Sequence, residues 1–415
     1  METVKGFRDI EDSSKRNQIR NIIENIFELY NFKSVETPII EYEDFVKGNN
    51  TNDEAVSDIF KLKDKGEREL ALRYEFTFQL KRLGVNKKLP YKRYEIGPVF
   101  RDEPVAGNRW RQFTQCDADI IGATLKDEAE ILSLISKILN QLKIKFTINF
   151  NNRKLLNEIL DGLNIDDKDR QQVIREIDKL DKLPEKEIKE NLKRYNAEKI
   201  LDIFKKPESY FEKYKAYEEI KELKKICSLY KIKLNFQAFL ARGLSYYNGS
   251  IFEVKTDEKE IKKLPTKGNF SLSKSATASC EGLNQDLKIK ETIAAGGSYL
   301  VNGMQSTGIS FGLDRLELIA KVQEKVDKVL IISLGQDKKA IEIADKIRGL
   351  NIPCSIMYGK PGKALEYANS YQIKYVIFIG DEEAKKKKLK LKDMVSGKEK
   401  MIGEKVLEKE LKNLK

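Results

Sequence analysis

Residues 94–122 constrain the fold most tightly. They read as two strands joined by a turn-rich loop, because Glu103, Pro104 and the Gly107-Asn108 pair are loop formers between β-prone runs. Side chains on a strand alternate between faces. In the second strand one face carries Arg109, Arg111, Phe113, Gln115, Asp117 and Asp119. The other carries Trp110, Gln112, Thr114, Cys116, Ala118 and Ile120. Arginines, a ring, an amide and carboxylates in file suit a ligand with a phosphate end and an amine or imidazole end. A solvated face with cross-strand ion pairs has the same pattern.

The totals narrow the class. At 415 residues, two or three domains and a large core are expected. No apolar run approaches a membrane span and the N-terminus lacks a signal-peptide pattern. A soluble, cytoplasmic protein is expected, with neither membrane nor DNA as partner. Cys116, Cys227, Cys280 and Cys354 are scattered without CxxC spacing, so they read as reduced thiols rather than a disulfide frame or zinc site. The net charge of +12 suits a polyanionic partner, although most of it is lysine spread over helical patterns. The chain has no histidine. That excludes His metal ligands, Ser-His-Asp triads and imidazole bases. Any proton transfer falls to carboxylates or to phosphates of the substrate.

Taken in order, residues 12–30 form a predicted helix. Asp12 or Ser13 caps it, and Ile19, Ile22, Ile23, Ile26 and Tyr30 recur at helical spacing. Residues 35–40 read as a strand that Pro38 confines to an edge or an interface. Residues 69–79 alternate, with Arg73, Glu75 and Thr77 on one face. Residues 125–142 form an amphipathic helix and residues 144–150 a strand. From 151 to about 230 charged helical patterns dominate, with breakers at Pro184 and Pro207. Residues 232–254 return to β character. There Arg242 lies between Leu240 and Leu244 in a run that reads as buried, which is costly unless it meets an anion. Tyr246 and Tyr247 follow, able to stack on and hydrogen-bond to a flat ring; a structural ion pair with two core tyrosines fits as well. Residues 255–291 read as a long polar loop or hairpin. Ala294-Ala295-Gly296-Gly297 marks a close backbone approach, to a ligand or to a packed strand. Beyond about 325, the apolar runs Val329–Ile332 and Tyr375–Ile379 predict buried strands of a small α/β domain. The basic run 385–388 can steer RNA or form a solvated loop.

Several of these stretches carry a family resemblance. Phe100-Arg101-Asp102-Glu103, followed by Arg109 and Arg111-Gln112-Phe113, resembles the second signature motif of class II aminoacyl-tRNA synthetases. Gly308-Ile309-Ser310-Phe311-Gly312-Leu313-Asp314-Arg315-Leu316 resembles the third. The first helix, the following strand and Pro38 resemble the first, which implies a homodimer. Arg242-Gly243-Leu244-Ser245-Tyr246-Tyr247-Asn248-Gly249 resembles a motif peculiar to histidyl-tRNA synthetases. Ala294–Tyr299 resembles the second such motif. It departs from the family at Ser298, where Arg is usual, and at Leu300, where Asp is usual; Ser245 likewise replaces an Asp. The resemblance implies an α+β fold. A class II antiparallel-sheet catalytic domain would occupy residues 1–150 and 232–324, a helical insertion 151–231, and a C-terminal α/β anticodon-binding domain 325–415.

The resemblance also implies a chemistry: ATP-dependent activation of L-histidine, then transfer to the 3′ end of tRNA-His, with Mg2+ accompanying ATP and no protein-only metal site. Arg101 and Arg242 are the catalytic residues it implies. Arg101 holds the α-phosphate and the carboxylate, and Arg242 stabilises charge from the opposite side. Arg101, Glu103, Arg109, Phe113 and Arg315 form the ATP site, with Phe113 stacked on adenine. The histidine site comprises Glu75, Phe76, Thr77, Arg101, Gln115, Asp119, Arg242, Tyr246, Tyr247 and Tyr299. Glu75 and Thr77 hold the α-amino group. Asp119, where bacterial members usually carry Glu, reads the imidazole with Gln115 and one or both of Tyr246 and Tyr247. Family members recognise an extra 5′ guanosine of the tRNA near the second-motif loop, here Pro104–Asn108, with few polar side chains. Three other readings have to be weighed. A synthetase-like regulatory subunit of histidine biosynthesis usually lacks the Arg242 motif and the C-terminal domain. A non-catalytic paralogue that senses uncharged tRNA would lose Arg101, Arg242 or Arg315. A class II synthetase for another amino acid is disfavoured by the Arg242 motif and by the lack of a zinc-ligand set.

Overall fold

The computed structural model describes residues 2–48, 54–105, 110–180, 183–243, 246–256, 292–322, 328–386 and 388–412. Two compact units divide between Val322 and Gln323.

The first unit contains β1 (Lys33–Ser34), β2 (Ile40–Tyr42), β3 (Lys61–Lys63), β4 (Glu69–Leu72), β5 (Tyr91–Phe100), β6 (Gln112–Ile121), β7 (Phe146–Asn152), β8 (Leu234–Phe236), β9 (Tyr247–Thr256), β10 (Thr292–Val301) and β11 (Met304–Gly312). An eight-stranded sheet runs in the order β1-β5-β6-β11-β10-β9-β7-β8, and β2-β4-β3 form a small second sheet. In the large sheet only the outer pairs β1·β5 and β7·β8 are parallel. The antiparallel centre expected from the family resemblance is present.

The alternation read in residues 94–122 folds as β5 and β6, paired without a bulge from Tyr91↔Ile121 to Phe100↔Gln112. Cys116, Ala118 and Ile120 share a core with Ile19, Ile23, Ile26 and Phe27 of helix Ser14–Leu29 and with Ile131, Leu134, Ile135 and Ile138 of helix Leu125–Gln141. Each such aliphatic side chain removed from water contributes about 1.5–3 kcal/mol. The Asp12 carboxylate accepts the Ser14 N–H at 2.8 Å. Thr124 and Asp127 form a reciprocal capping box at the second helix.

Two expected strands are shorter than the pattern suggested. The run at 35–40 is split: pairing stops after Val35, whose N–H reaches the Tyr94 carbonyl at 2.9 Å, and resumes at Ile40 in the other sheet. Between them Pro38 has no N–H to give, and the Thr37 N–H and hydroxyl turn to the Glu95 carboxylate at 3.0 and 2.8 Å. The alternation at 69–79 is strand only to Leu72. Past it, the Arg73 guanidinium turns inward to the Pro98 carbonyl, the Thr37 carbonyl and Glu95, at 2.9, 2.7 and 2.8 Å.

Between β7 and β8 lie helices Arg153–Gly162, Asp167–Asp178, Glu185–Lys193, Ile200–Phe204 and Tyr217–Leu229, with a 3-10 turn at Glu208–Lys213. Pro184 and Pro207 stand as cap residues before the third helix and the turn. Leu155, Ile159, Val173, Ile177, Ile188, Leu192, Ile220 and Leu223 of these helices join the same apolar core as the sheet. The loop read at 255–291 lies outside the described residues beyond Thr256.

The second unit holds β12 (Val329–Ser333), β13 (Cys354–Tyr358), β14 (Tyr375–Ile379), β15 (Lys388–Asp393) and β16 (Glu399–Gly403) in the order β13-β12-β14-β15-β16. β12 is parallel to both neighbours, and β14, β15 and β16 are antiparallel. Every residue of β12 and β14 is buried, as continuous apolar runs require. Val329 and Ile331 face Ala340 and Ile343 of helix Asp337–Gly349, while Leu330 and Ile332 face Ala364 and Ala368 of helix Pro361–Ser370. Of the basic run at 385–388, Lys385 and Lys386 end a short helix and Lys388 begins β15; Lys387 lies outside the described residues.

Candidate active site

Residues directly opposite in an antiparallel sheet share a face, so the register builds rows. Arg93, Asp119, Gly308 and Gly297 form one row across β5, β6, β11 and β10. Glu95, Asp117, Ser310 and Ala295 form the next, continued by Glu253 on β9. Gly97, Gln115 and Gly312 form a third. The polar face of β6 is therefore neither solvated nor apolar. Gln115, Asp117 and Asp119 are all buried, and buried polar groups demand partners.

Those partners are specific. Arg93 is 0% exposed. Its Nη2 stands 2.8 Å from Asp119 Oδ2 and donates to the Phe76 carbonyl at 2.7 Å. The Tyr299 hydroxyl donates to the other Asp119 oxygen. Arg73 pairs with Glu95 at 2.8 Å, both buried, and Arg242 with Glu253 at 2.8 Å. Gln115 Nε2 donates to Ser310 Oγ at 2.6 Å and less closely to Asp117 at 3.3 Å. Burial pushes the carboxyls of Asp117 and Asp119 above the ordinary range. For Asp119 the Arg93 charge and the Tyr299 hydroxyl pull the other way; for Asp117 the neighbouring Asp119 charge adds to the rise.

Glycine at 308 is a steric requirement. A Cβ there would lie 2.0 Å from Asp119 Oδ1. One at Gly296 would lie 2.0 Å from the Gly308 carbonyl, so the close approach read at 294–297 is to the neighbouring strands.

Three tyrosines stand beside these rows. Ring centroids are 4.7 Å apart for Tyr246–Tyr247, 5.6 Å for Tyr246–Tyr299 and 6.4 Å for Tyr247–Tyr299. Burial raises all three phenol pKa values, so the hydroxyls stay protonated. Tyr246 reaches Glu75 Oε2 at 3.5 Å. Glu75, Gln115, Asp119, Tyr246, Tyr247 and Tyr299, inferred from scattered motifs, thus meet on one sheet face. Phe76 is fully buried, its ring 4.6 Å under the Arg73 guanidinium, and the Thr77 carbonyl accepts from Leu80 N–H at 3.1 Å.

Arg242 is reached from Leu240 by a short connection. Its side chain keeps 23% exposure, and among the described residues its Nε has no hydrogen-bond partner. Arg101 belongs to a second group: its guanidinium lies 5.2 Å over the Phe113 ring and 3.8 Å from Glu103, and its Nε donates to the Tyr74 carbonyl at 3.2 Å. Arg315, on helix Leu313–Ile319, donates to the Thr292 carbonyl at 2.5 Å. Its neighbour Asp314 ties that helix to β6 by accepting the Thr114 N–H at 2.9 Å, and to helix Ser14–Leu29 by pairing with Arg16 at 3.0 Å. Arg109, Leu244 and Ser245 lie outside the described residues. Ser298 donates its hydroxyl to Glu128, a buried carboxylate on helix Leu125–Gln141.

Sequence reading missed Arg93, Glu95 and Glu253 as members of the site. The first two alternate with Tyr94 and Ile96, so the period-two signal was present; what was absent was the register that brings them to Asp119 and Asp117. Among the described residues no cluster of three or more Asp, Glu, Cys or His side chains is placed to hold a metal.

The profile of the histidyl-tRNA synthetase family matches residues 6–262, and that of an anticodon binding domain matches residues 328–414. A histidine–tRNA ligase 1 of Bacillus cereus is 31% identical over 439 aligned positions, covering 96% of this chain and 97% of the relative. A histidine–tRNA ligase of Wolinella succinogenes is 32% identical, covering 96% and 95%. The crystal structure of histidyl-tRNA synthetase from a Nostoc species superposes with a TM-score of 0.79 at 23% identity, covering 100% of this chain and 99% of that one. A Bacillus halodurans structure titled an ATP phosphoribosyltransferase regulatory subunit/histidyl-tRNA synthetase shares the fold at a TM-score of 0.70 and 18% identity, covering 91% and 97%. With a family profile over more than half its length and full-length relatives above 30% identity, the chain belongs to the histidyl-tRNA synthetase family.

Proposed function

We propose that this chain activates L-histidine with ATP and transfers the histidyl group to the 3′-terminal adenosine of tRNA-His. The observation that carries the reading is Arg242. It is held by Glu253 of β9 at 2.8 Å, with its Nε unpartnered among the described residues, in the connection that leads into the sheet carrying the tyrosine group and the buried carboxylates. A guanidinium fixed at one edge with a donor to spare is built to meet an anion.

Activation is an in-line attack of the amino acid carboxylate on the α-phosphate of ATP, which breaks the bond to the β-phosphate oxygen and releases pyrophosphate. The protein contributes positioning and charge neutralisation. Arg101 approaches the α-phosphate from one side and Arg242 from the other. Phe113 offers its ring to adenine once Arg101 swings from it to phosphate. Glu103, Arg109 and Arg315 complete the ATP site. Glu75 and Thr77 take the α-amino group. Asp119, held by Arg93 and Tyr299, accepts from one imidazole nitrogen, and Gln115 with Tyr246 or Tyr247 serves the other. ATP arrives with magnesium on its own phosphates. In the transfer step a phosphate oxygen of the adenylate takes the ribose proton, since the chain has no histidine.

We further assign residues 1–150 and 232–324 to the catalytic domain, 151–231 to a helical insertion toward the tRNA, and 325–415 to anticodon binding. The working form would be a cytoplasmic homodimer. The test is pyrophosphate–ATP exchange with each of the twenty amino acids, for wild type and Arg242→Ala. Exchange with histidine alone, lost in the variant, is expected. Folded wild type that exchanges with no amino acid would end the enzyme reading in favour of a regulatory or tRNA-sensing paralogue.

A further inference from the structure

Arg242 stands in a stretch without regular structure. Residues 237–243 lie between β8 and β9 and belong to neither a strand nor a helix. Such backbone lacks a ladder, and here side chains take its carbonyls. The Ala238 and Leu240 carbonyls both accept from Asn151 Nδ2, at 2.9 and 3.0 Å, and the Arg242 carbonyl accepts from Arg153 Nη1 at 3.4 Å. Asn151 and Arg153 are buried where β7 runs into helix Arg153–Gly162. Carbonyls at every second position are thus pinned from one neighbouring segment.

Arg153 is oriented in turn from further along the chain. Its Nη2 donates to Gln171 Oε1 at 2.7 Å, and Gln171 lies on helix Asp167–Asp178. The last residue of that helix reaches the same place. Asp178 Oδ2 lies beside Gly243, where an added Cβ would stand 3.4 Å from it. Its charge also acts on the Arg242 guanidinium: burial works against that cation, and Tyr247, Glu253 and Asp178 outweigh the burial. A carboxylate ending a helix meets the partial negative charge of the last carbonyls, so Asp178 needs a cation close by. Arg175, three residues back on the helix, is one neighbour, and Arg242 is another. Glu253 does not serve Arg242 alone, because Lys255 stands 3.6 Å from its second oxygen and Thr292 donates to that oxygen at 3.3 Å. One helix therefore acts on Arg242 at both ends, on the carbonyl through Arg153 and on the guanidinium through Asp178.

We propose that helix Asp167–Asp178 positions Arg242 for the first, tRNA-independent step, with Gln171 and Asp178 as the positioning residues. This rests on the proposed function, in which Arg242 meets the reacting phosphate. Gln171 and Asp178 fix where the guanidinium stands, so their loss is felt in the rate at saturation rather than in binding of ATP or histidine. Helices between β7 and β8 that served only to contact RNA would leave that step untouched.

Pyrophosphate–ATP exchange needs no tRNA and separates the two. Gln171→Leu, which keeps the bulk and removes the acceptor, and Asp178→Asn should each lower kcat about threefold to tenfold, the scale of one hydrogen bond. The KM values for ATP and for histidine should stay unchanged. Gln171 Nε2 makes no hydrogen bond among the described residues, so Gln171→Glu keeps the acceptor for Arg153 and should hold the wild-type rate. Normal exchange with slower charging of tRNA would overturn the proposal, and so would a rise in either KM at constant kcat. Thermal melts check that each variant folds; if Gln171→Leu does not, Asp178→Asn decides alone. The placement of Arg242 is also read without activity. In NMR of nitrogen-labelled arginine, its Nε–H resonance, assigned by its loss in Arg242→Lys, should shift in Gln171→Leu and in Asp178→Asn. A resonance that stays in place in both counts against the positioning role. Wild type that exchanges with no amino acid would remove the proposed function, and the resonance then decides the positioning role by itself.

Discussion

Arg93 faces Asp119 across the β5·β6 pair, the guanidinium fully buried and 2.8 Å from the carboxylate. Both residues are buried, so each charge leans on the other, with Glu95 3.8 Å from Arg93 and the Tyr299 hydroxyl on Asp119 as lesser partners. Removing one partner of such a pair costs about 3–5 kcal/mol because the other is left uncompensated. Arg93→Met should therefore lower unfolding stability by that order in urea melts. Adding Asp119→Asn should recover part of the loss, although histidine binding would not return. A double variant no more stable than Arg93→Met would show that the pair is not the source.

Gly308→Ala tests how tightly the floor of the pocket is built. The new methyl would stand 2.0 Å from Asp119 Oδ1 and near the Tyr299 hydroxyl. One of them has to move, and both belong to the end proposed to read the imidazole. The KM for histidine should rise at least tenfold, the scale of one lost polar contact, with the KM for ATP little changed. Steady-state exchange with each substrate varied in turn separates the two.

Glu253 holds Arg242, the residue proposed to meet the reacting phosphate, without a proposed contact of its own to substrate. Glu253→Gln keeps the shape and removes the charge that fixes Nη1 at 2.8 Å. We expect kcat for exchange to fall about tenfold, less than the 10²–10³-fold typical of deleting a transition-state donor outright, as Arg242→Ala would. Equal losses in the two variants would place Glu253 in direct contact with substrate.

Glu128 gives a pH dependence with a definite sign. Burial raises its carboxyl pKa, and the Ser250 and Ser298 hydroxyls only partly offset this. The folded chain thus holds this proton more tightly than the unfolded chain. Its contribution to stability is complete below the ordinary glutamate range and is lost as pH rises through the folded value. Glu128→Gln mimics the neutral form, so thermal melts between pH 5 and 8 should show a shallower decline and a higher Tm at the alkaline end, by a few degrees. Asp117 and Asp119 act in the same direction, so the decline should shrink rather than vanish.

Much of this architecture was legible in local patterns. Period two marked β5 and β6, helical spacing marked Ser14–Leu29 and Leu125–Gln141, and apolar runs marked β12 and β14. The residues gathered on the sheet face were identifiable from motifs hundreds of positions apart. Local pattern could not tell that the polar face of β6 is buried. That depends on Arg93 of β5 meeting Asp119, and on Arg73 arriving from another segment to match Glu95, the β5 residue opposite Asp117. The shortened strands have the same origin: Thr37 and Arg73 leave the pleat because Glu95, nearly sixty and about twenty residues away, draws them.

The apolar clusters on the two faces of β12 and β14 draw every member from between Val329 and Leu407. That stretch carries its own reason to fold. Recombination can move such a cassette intact between enzymes, leaving the sheet with its pocket of rows to diverge under separate selection.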